Sequence, residues 1–422
     1  MLLVAFTFIL LLLLRVPVSF TLLMSSLVYI FANDIPLRVV TQRLMAGPDS
    51  FPLMAVPFFM LAGSIMNTGG ITSRIFNFAD KMVGHYTGGL GHANILASII
   101  FSGMSGTAIA DVGGLGAIEL KAMRDAGYPE DFSLAVTAGS STIGPIIPPS
   151  VPAVVFGAIG GVSIGRLFIG GIVPGLLMGL AMSILVYFQS KKAGYPKREK
   201  ASARERLVAL KEALLSLLTP VIILGGIMGG IFTPTEAAII ATLYSLVLAL
   251  YYKEFTIRDI PKIVLDTIGT MVSVLFIVAA ASLFGWVLAV SQLPQAVTSI
   301  FVSYFSSKYA VLLAIMLILF FVGTFMETIA AITILTPILM PVANHFGIDP
   351  VHFGLLLILN LMIGLMTPPV GMVLYVLSSV SGVPFERIAK LCVPYVVLLT
   401  IVLLILLFVP QIVLFLPNLL FD

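Results

Sequence analysis

Ser140-Ser-Thr-Ile-Gly-Pro-Ile-Ile-Pro-Pro-Ser150 interrupts a stretch, 131 to 160, that is otherwise long and apolar enough to cross a membrane. Asn360-Leu-Met-Ile-Gly-Leu-Met-Thr-Pro-Pro-Val-Gly371 does the same within 351 to 381. Proline lacks the amide hydrogen and its ring clashes with the preceding turn. Adjacent prolines after a glycine, Pro148-Pro149 after Gly144 and Pro368-Pro369 after Gly364, therefore predict an unwound helix. Unwinding frees backbone carbonyls, which at membrane depth are tolerated only where they line a cavity or bind something. Together with the side chains of Ser140, Ser141 and Thr142, or of Asn360 and Thr367, they offer hard neutral oxygen ligands of the kind that suits Na⁺. A simple proline kink competes with this reading, and the matching of the two motifs weighs against it.

The match extends outward. A gapless offset of 220 carries Gly144, Pro148 and Pro149 onto Gly364, Pro368 and Pro369, and also Phe101, Gly103, Ile109 and Ala110 onto Phe321, Gly323, Ile329 and Ala330. It sets Gly127 on Gly347 and Val173-Pro174 on Val393-Pro394. Coincident Gly and Pro in one register mark an internal repeat. The earlier parts repeat with small shifts: Pro17 answers Pro234, and Asp34-Ile35-Pro36 answers Asp259-Ile260-Pro261. The triplets open mixed-polarity segments, 37 to 45 and 262 to 268, read as helices lying at the interface, with ordinary connecting loops as the alternative.

Of the 422 residues, 59% are hydrophobic and 10% charged, against about 25% charged in soluble domains, so lipid is the main solvent. The single cysteine, Cys392, excludes a disulfide framework or cysteine metal site within one chain. The net charge of +3 reflects one basic loop, 190 to 212, with Lys191, Lys192, Lys197, Arg198, Lys200, Arg204, Arg206 and Lys211. The positive-inside rule makes that loop cytoplasmic. A nucleic-acid or lipid-binding tail is the alternative, and nothing else supports nucleic acid. The loop divides a first repeat, 1–189, from a second, 213–422.

Spans are predicted at 2–14, 16–32, 51–67, 131–160 and 166–189, then at 213–231, 234–252, 269–290, 351–381 and 391–416. Five per half is odd, which inverts one repeat against the other, the architecture of many secondary transporters. The fold class is thus an all-α polytopic membrane protein of two inverted repeats, with about ten spanning helices and two re-entrant hairpins. The 2–14 segment reaches only about 20 Å at ~1.5 Å per residue, so it sits in thinned bilayer or leans on another protein. Arg15 after it reads as a snorkelling end residue rather than a functional charge.

The hairpins are set aside at about 92–126 and 308–345. In the first, Phe101-Ser-Gly-Met-Ser-Gly-Thr-Ala and the following Asp111-Val-Gly-Gly-Leu-Gly predict a tip near Ser102 to Asp111. The second tip is predicted near Gly323 to Thr328. Half-helix N-termini attract carboxylates and carbonyl ends attract cations, so an anionic substrate and coupling ions can share one site; close packing of small residues is the rival account. Asp111 and Glu327 in these tips serve cation coupling, proton transfer or plain capping. Glu236, in Thr233-Pro-Thr-Glu-Ala237, reads as a structural helix start, and His85, His92, His345 and His352 as interfacial residues without metal spacing.

These motifs, Phe101-Ser-Gly-Met-Ser-Gly-Thr-Ala, Asp111-Val-Gly-Gly-Leu-Gly, Gly144-Pro-Ile-Ile-Pro-Pro149, Thr233-Pro-Thr-Glu-Ala237 and Gly364-Leu-Met-Thr-Pro-Pro369, resemble those of the DctM-like large membrane subunit of tripartite ATP-independent periplasmic (TRAP) transporters, in the ion transporter superfamily. The resemblance covers nearly the whole chain. It implies Na⁺-driven import of an organic acid, of the sialic acid or C4-dicarboxylate class, across the bacterial inner membrane. The implied partners are a periplasmic substrate-binding protein and a small four-helix membrane subunit, here expected as a separate chain packing near 2–14. It also implies an elevator motion of both hairpins and both broken helices against a scaffold that includes the interfacial helices. Carried onto this sequence, the implied Na⁺ ligands are Ser102, Gly103, Ser141, Gly144, Gly323, Thr324, Gly364 and Thr367, and the implied substrate contacts Ser102, Ser105, Gly106, Thr107, Thr328 and Asn360. A stand-alone dicarboxylate symporter or antiporter of the same superfamily is the nearest alternative. An intramembrane enzyme is disfavoured, since there is no His-Glu-x-x-His helix and no suitably paired Ser and His. Discontinuous inverted repeats also argue against an open channel.

Overall fold

A computed structural model describes residues 1–421, with the side chains of 103–105 outside the described set. Its regular structure is helical throughout the described residues. The first half runs α1 (Leu2–Leu13), α2 (Val18–Ala32), α3 (Arg38–Ala46), α4 (Ala55–Thr68, entered by a 3₁₀ turn), α5 (Ile71–Val83) and α6 (Gly89–Ser105). After α7 (Ala108–Ala110), a π-helical stretch, Asp111–Gly116, leads into α8 (Ala117–Asp125), α9 (Glu130–Ser141), α10 (Val151–Gly160) and α11 (Ile164–Ala193). The second half runs α12 (Ala203–Met228), α13 (Pro234–Tyr251), α14 (Ile260–Val290), α15 (Leu293–Tyr304), α16 (Lys308–Gly323), α17 (Thr328–His345), α18 (Pro350–Gly364), α19 (Met372–Ser381), α20 (Phe385–Phe408) and α21 (Gln411–Phe421). Among the described residues, seven segments are long and apolar enough to cross a membrane unbroken: 51–68, α11, α12, α13, 257–290, α17 and α20.

Burial is deepest along the two interrupted stretches. Every residue from Val351 to Gly364 of α18 and from Phe132 to Ser141 of α9 is buried. Around them α2, α12, α13 and α14 show apolar side chains outward, among them Phe31, Val221, Val247 and Leu265, as expected where lipid replaces water. Helices of the two halves alternate in space: α4 packs on α13, and α14 on α2 and α3. Short α1 packs on α2, and its Phe8 stacks on Phe284 of α14 at 5.7 Å. Gly139 of α9 leaves room for Tyr395 of α20; a Cβ there would lie 2.6 Å from the ring.

Several sequence-based expectations are corrected. The interfacial segment expected at 262–268 is the first part of the 31-residue α14; Gly269 is the glycine at the expected boundary, and one glycine costs a helix just ~1 kcal/mol. The counterpart at 37–45 does form a separate helix, α3. Two helices were missed. α5 starts at Gly70 with φ +65° and buries Ile71, Ile75, Phe76 and Ala79 on one face. α15, with Pro294 in its first turn, occupies the matching place before the second hairpin. The span expected at 391–416 is two helices, because Pro410 between α20 and α21 cannot continue the amide ladder. The basic loop shrinks to 194–202: Ser202 and Glu205 form a reciprocal capping box, so α12 starts at Ala203. His352 is buried rather than interfacial, its Nε2 2.9 Å from the Leu406 carbonyl.

Candidate functional site

Each interrupted stretch breaks where its prolines lie. α9 ends at Ser141 and α10 begins at Val151; α18 ends at Gly364 and α19 begins at Met372. The Pro148–Pro149 and Pro368–Pro369 bonds are both cis. The first break is held by Ser150, whose hydroxyl donates to the Pro145 carbonyl and accepts from the Ala153 amide at 3.1 Å, so it caps α10. The second break lacks that side chain: Gly371, at φ +53°, precedes α19 without a side-chain cap.

The hairpin tips meet these breaks. Tip 1 turns at Gly106, φ +62°, whose carbonyl accepts from the Val151 amide at 3.3 Å. A Cβ on Gly106 would sit 2.8 Å from the Pro149 carbonyl oxygen, so only glycine fits both the left-handed turn and the approach. Tip 2 makes the corresponding contact, the Val370 amide donating to the Thr324 carbonyl at 3.1 Å. Beneath it Gly364 touches Gly323 directly, a Cβ on Gly364 falling 2.5 Å from the Gly323 carbonyl carbon. The halves also interlock, α10 packing on α17 and α19 on α7 and the π-helical stretch.

The two tips differ at their helix starts. Thr107 caps α7, its hydroxyl accepting from the Ala110 amide at 3.2 Å. Glu327 caps α17, one carboxylate oxygen accepting from Ile329 and Ala330 at 2.8 and 3.1 Å. A carboxyl group thus already fills the second helix start, whereas the first has a neutral hydroxyl cap.

The hydroxyls of Ser102, Ser141, Thr324 and Thr367 each donate back to their own helix, to Ile99, Ala138, Phe321 and Ile363 at 2.6 to 2.9 Å. Their proton is spent and their lone pairs remain, as a cation ligand requires. This neutral oxygen set fits Na⁺, and no group of three His, Cys, Asp or Glu suited to a metal occurs among the described residues. Gly144 lies near tip 1, a Cβ on it 3.6 Å from the Thr107 carbonyl oxygen. Thr328 is buried and its hydroxyl lacks a partner. Asn360 is turned into the protein, its Nδ2 donating to the Met316 carbonyl of α16 at 2.7 Å. Gly103 and Ser105 fall among the residues whose side chains lie outside the described set.

Of the network around Ser140, the sequence reading named only Ser140 itself. Ser140 donates to Asn94 Oδ1 at 2.6 Å, and Asn94 Nδ2 donates to Glu119 Oε2 at 2.7 Å and to Thr137 Oγ1 at 2.8 Å. All four side chains are buried, and they join both arms of the first hairpin to the end of α9. The signal available was a carboxylate, Glu119, between apolar neighbours inside a hairpin.

The sequence profile described as "Tripartite ATP-independent periplasmic transporter, DctM component" matches residues 5–412. The chain belongs to that family. It is similar to the sialic acid TRAP transporter large permease protein SiaM of Vibrio cholerae, 49% identical over 96% of this chain and 95% of that one. With the SiaT permease of Haemophilus influenzae it shares 41% over 96% of this chain and 66% of the relative. With the C4-dicarboxylate large permease DctM of Pseudomonas aeruginosa it shares 39% over 93% and 92%. Among solved structures, the Alcanivorax borkumensis YdaH transporter superposes with a TM-score of 0.66 over 89% of this chain and 88% of that one, at 15% identity, a likeness of fold. This DctM-family chain is a multi-pass membrane protein and a transport protein rather than an enzyme.

Proposed function

We propose that the chain is the carrier subunit of a three-component importer that takes an organic acid from a periplasmic binding protein and moves it across the bacterial inner membrane on a Na⁺ gradient. The observation that carries this reading is the paired meeting of hairpin tip and broken helix, Gly106 with Val151 and Thr324 with Val370, beside neutral oxygens in both halves. Na⁺ would be held by the tip and break residues, Ser102, Ser141 and Gly144 in one half and Gly323, Thr324, Gly364 and Thr367 in the other. The substrate carboxylate would lie at the Thr107 helix start. In this reading the repeats are inverted, loop 194–202 is cytoplasmic, and hairpins and broken helices slide as one body against α1–α4 and α12–α14. The small membrane subunit packs on the outward face of α1 and α2. The names of the relatives put sialic acid first among substrates to try and C4-dicarboxylates second.

Reconstitution in proteoliposomes tests this. Accumulation of labelled sialic acid or succinate is expected only with an inward Na⁺ gradient, the small subunit and the loaded binding protein. Undiminished uptake by this chain alone in Na⁺-free buffer would refute it.

A further inference from the structure

Glu119 is fully buried in α8, and among the described residues no cation pairs with it. One of its oxygens accepts from the neutral Asn94 amide; the other, Oε1, has no partner. Its electrostatic neighbour is another buried carboxylate, Asp111, whose Oδ2 is likewise unpartnered. The Ser98 hydroxyl lies beside Asp111 without a hydrogen bond of good geometry. Eight residues of α-helix would set Asp111 and Glu119 about 80° apart around the axis, but the π-helical stretch between them turns by only roughly 80° per residue and brings them towards one face.

Among the described residues no other charge relieves the pair. α6 contributes Asn94, Ser98 and His92, whose Nε2 lies 3.1 Å from the Thr87 carbonyl. On α9, Glu130 pairs with Arg124 and Asp131 with Arg387. On α5, Arg74 pairs with Glu254, Asp80 with Arg198 and Lys81 with Glu205. Lys121, Arg124 and Asp125 of α8 are exposed, α7 has no titratable group, and α19 has only Tyr375, also exposed. Two neighbouring buried carboxylates, with only the neutral Asn94 amide on one and the neutral Ser98 hydroxyl beside the other, are far too costly to hold two negative charges. A neutral acid with one idle oxygen costs much less.

We infer that Glu119 carries an exchangeable proton and, through Asn94, positions the Ser140 end of the first broken helix, so that transport fails when the proton leaves. The second repeat has no such device: the positions matching Asn94, Asp111, Glu119 and Thr137 are Ala314, Ala331, Leu339 and Leu357. The network that ties a buried carboxyl to a broken helix is therefore confined to the first repeat. On ionisation the proton leaves Oε1 for water, reached along α8 towards its exposed Arg124 end, and the carboxylate recruits the Asn94 amide more strongly, drawing Asn94 away from Thr137.

The inference rests on the proposed transport function, and its test separates the two. Na⁺-driven uptake is measured against external pH for the complete three-component system with wild type and with Glu119→Gln, which keeps the acceptor for Asn94 but cannot ionise. The wild-type rate is expected to fall on the alkaline side, by up to about tenfold per pH unit beyond its midpoint, while Glu119→Gln stays flat. Uptake with identical pH profiles in both would overturn the inference and leave the transport function standing; no uptake in either would strike the transport function itself. Should the variant fail to fold, infrared spectroscopy of the native protein decides: a carboxylic-acid carbonyl band that disappears on alkaline titration is expected, and its absence at neutral pH would overturn the inference.

Discussion

Gly144 and Gly364 occupy matched places in the repeat, yet their surroundings differ. A Cβ on Gly364 would fall 2.5 Å from a backbone carbon of Gly323, an atom that cannot turn aside as a side chain can, whereas the nearest atom to a Cβ on Gly144 is 3.4 Å away. Gly364→Ala should therefore cost at least the ~1–3 kcal/mol typical of overpacking, read as a lowered thermal midpoint in detergent. Gly144→Ala should leave that midpoint nearly unchanged. Equal losses would show that the two breaks are packed alike. The sequence pairs these glycines; the inequality comes from what faces them, Gly323 on one side and the Thr107 carbonyl on the other.

At the scale of elements, the two breaks depend on four amides that are absent, those of Pro148, Pro149, Pro368 and Pro369. Replacing either pair by alanines returns two donors and removes a penalty of ~3 kcal/mol or more per interior proline, which favours winding the break into a continuous helix. Uptake should fall about tenfold or more through misplacement of groups around the tip, with the half-saturating Na⁺ concentration raised, while membrane insertion judged by fractionation is unaltered. Normal Na⁺-dependent uptake in both double variants would count against the broken-helix site. The breaks and tips were legible because glycine and proline act locally. α5 and α15 were not recognised, although α5 shows apolar residues at helical spacing, because short amphipathic helices between long spans contribute little apolar length. The division of 262–290 into two pieces failed for the opposite reason: a few polar residues cannot end a helix whose amides remain paired.

For the whole molecule, the loop between the repeats is fastened to the first. The Tyr128 hydroxyl donates to the Pro196 carbonyl at 2.7 Å, Tyr195 packs against Tyr128 and Phe132, and Arg198 pairs with Asp80 of α5. Burial pushes the Asp80 carboxyl above its ordinary value, with the charges of Arg198 and Lys81 pulling the other way. A folded-state value above the unfolded one means that Asp80 favours folding fully below about pH 3.9, its unfolded value, and that this contribution is lost as pH rises through the folded value. Asp80→Asn should then leave the thermal midpoint at neutral pH unchanged or higher, because Arg198 is half exposed and such a pair is worth only ~0–1 kcal/mol. The variant should also lack the wild-type decline as pH rises from the unfolded value through the folded one. A large loss of stability at neutral pH would show instead that the ion pair is a stabilising clasp.

By itself the amino-acid sequence determined the solvent, the two repeats, both interruptions and both hairpins, since hydropathy, proline and glycine act through composition and local backbone chemistry. The tertiary structure decided which tip meets which break, that Glu327 already fills one helix start, that Asn360 faces α16, and that Asn94, Glu119, Thr137 and Ser140 form one chain of hydrogen bonds. Most of those facts depend on residues as many as 46 positions apart coming within hydrogen-bond reach. Only packing in three dimensions sets such distances.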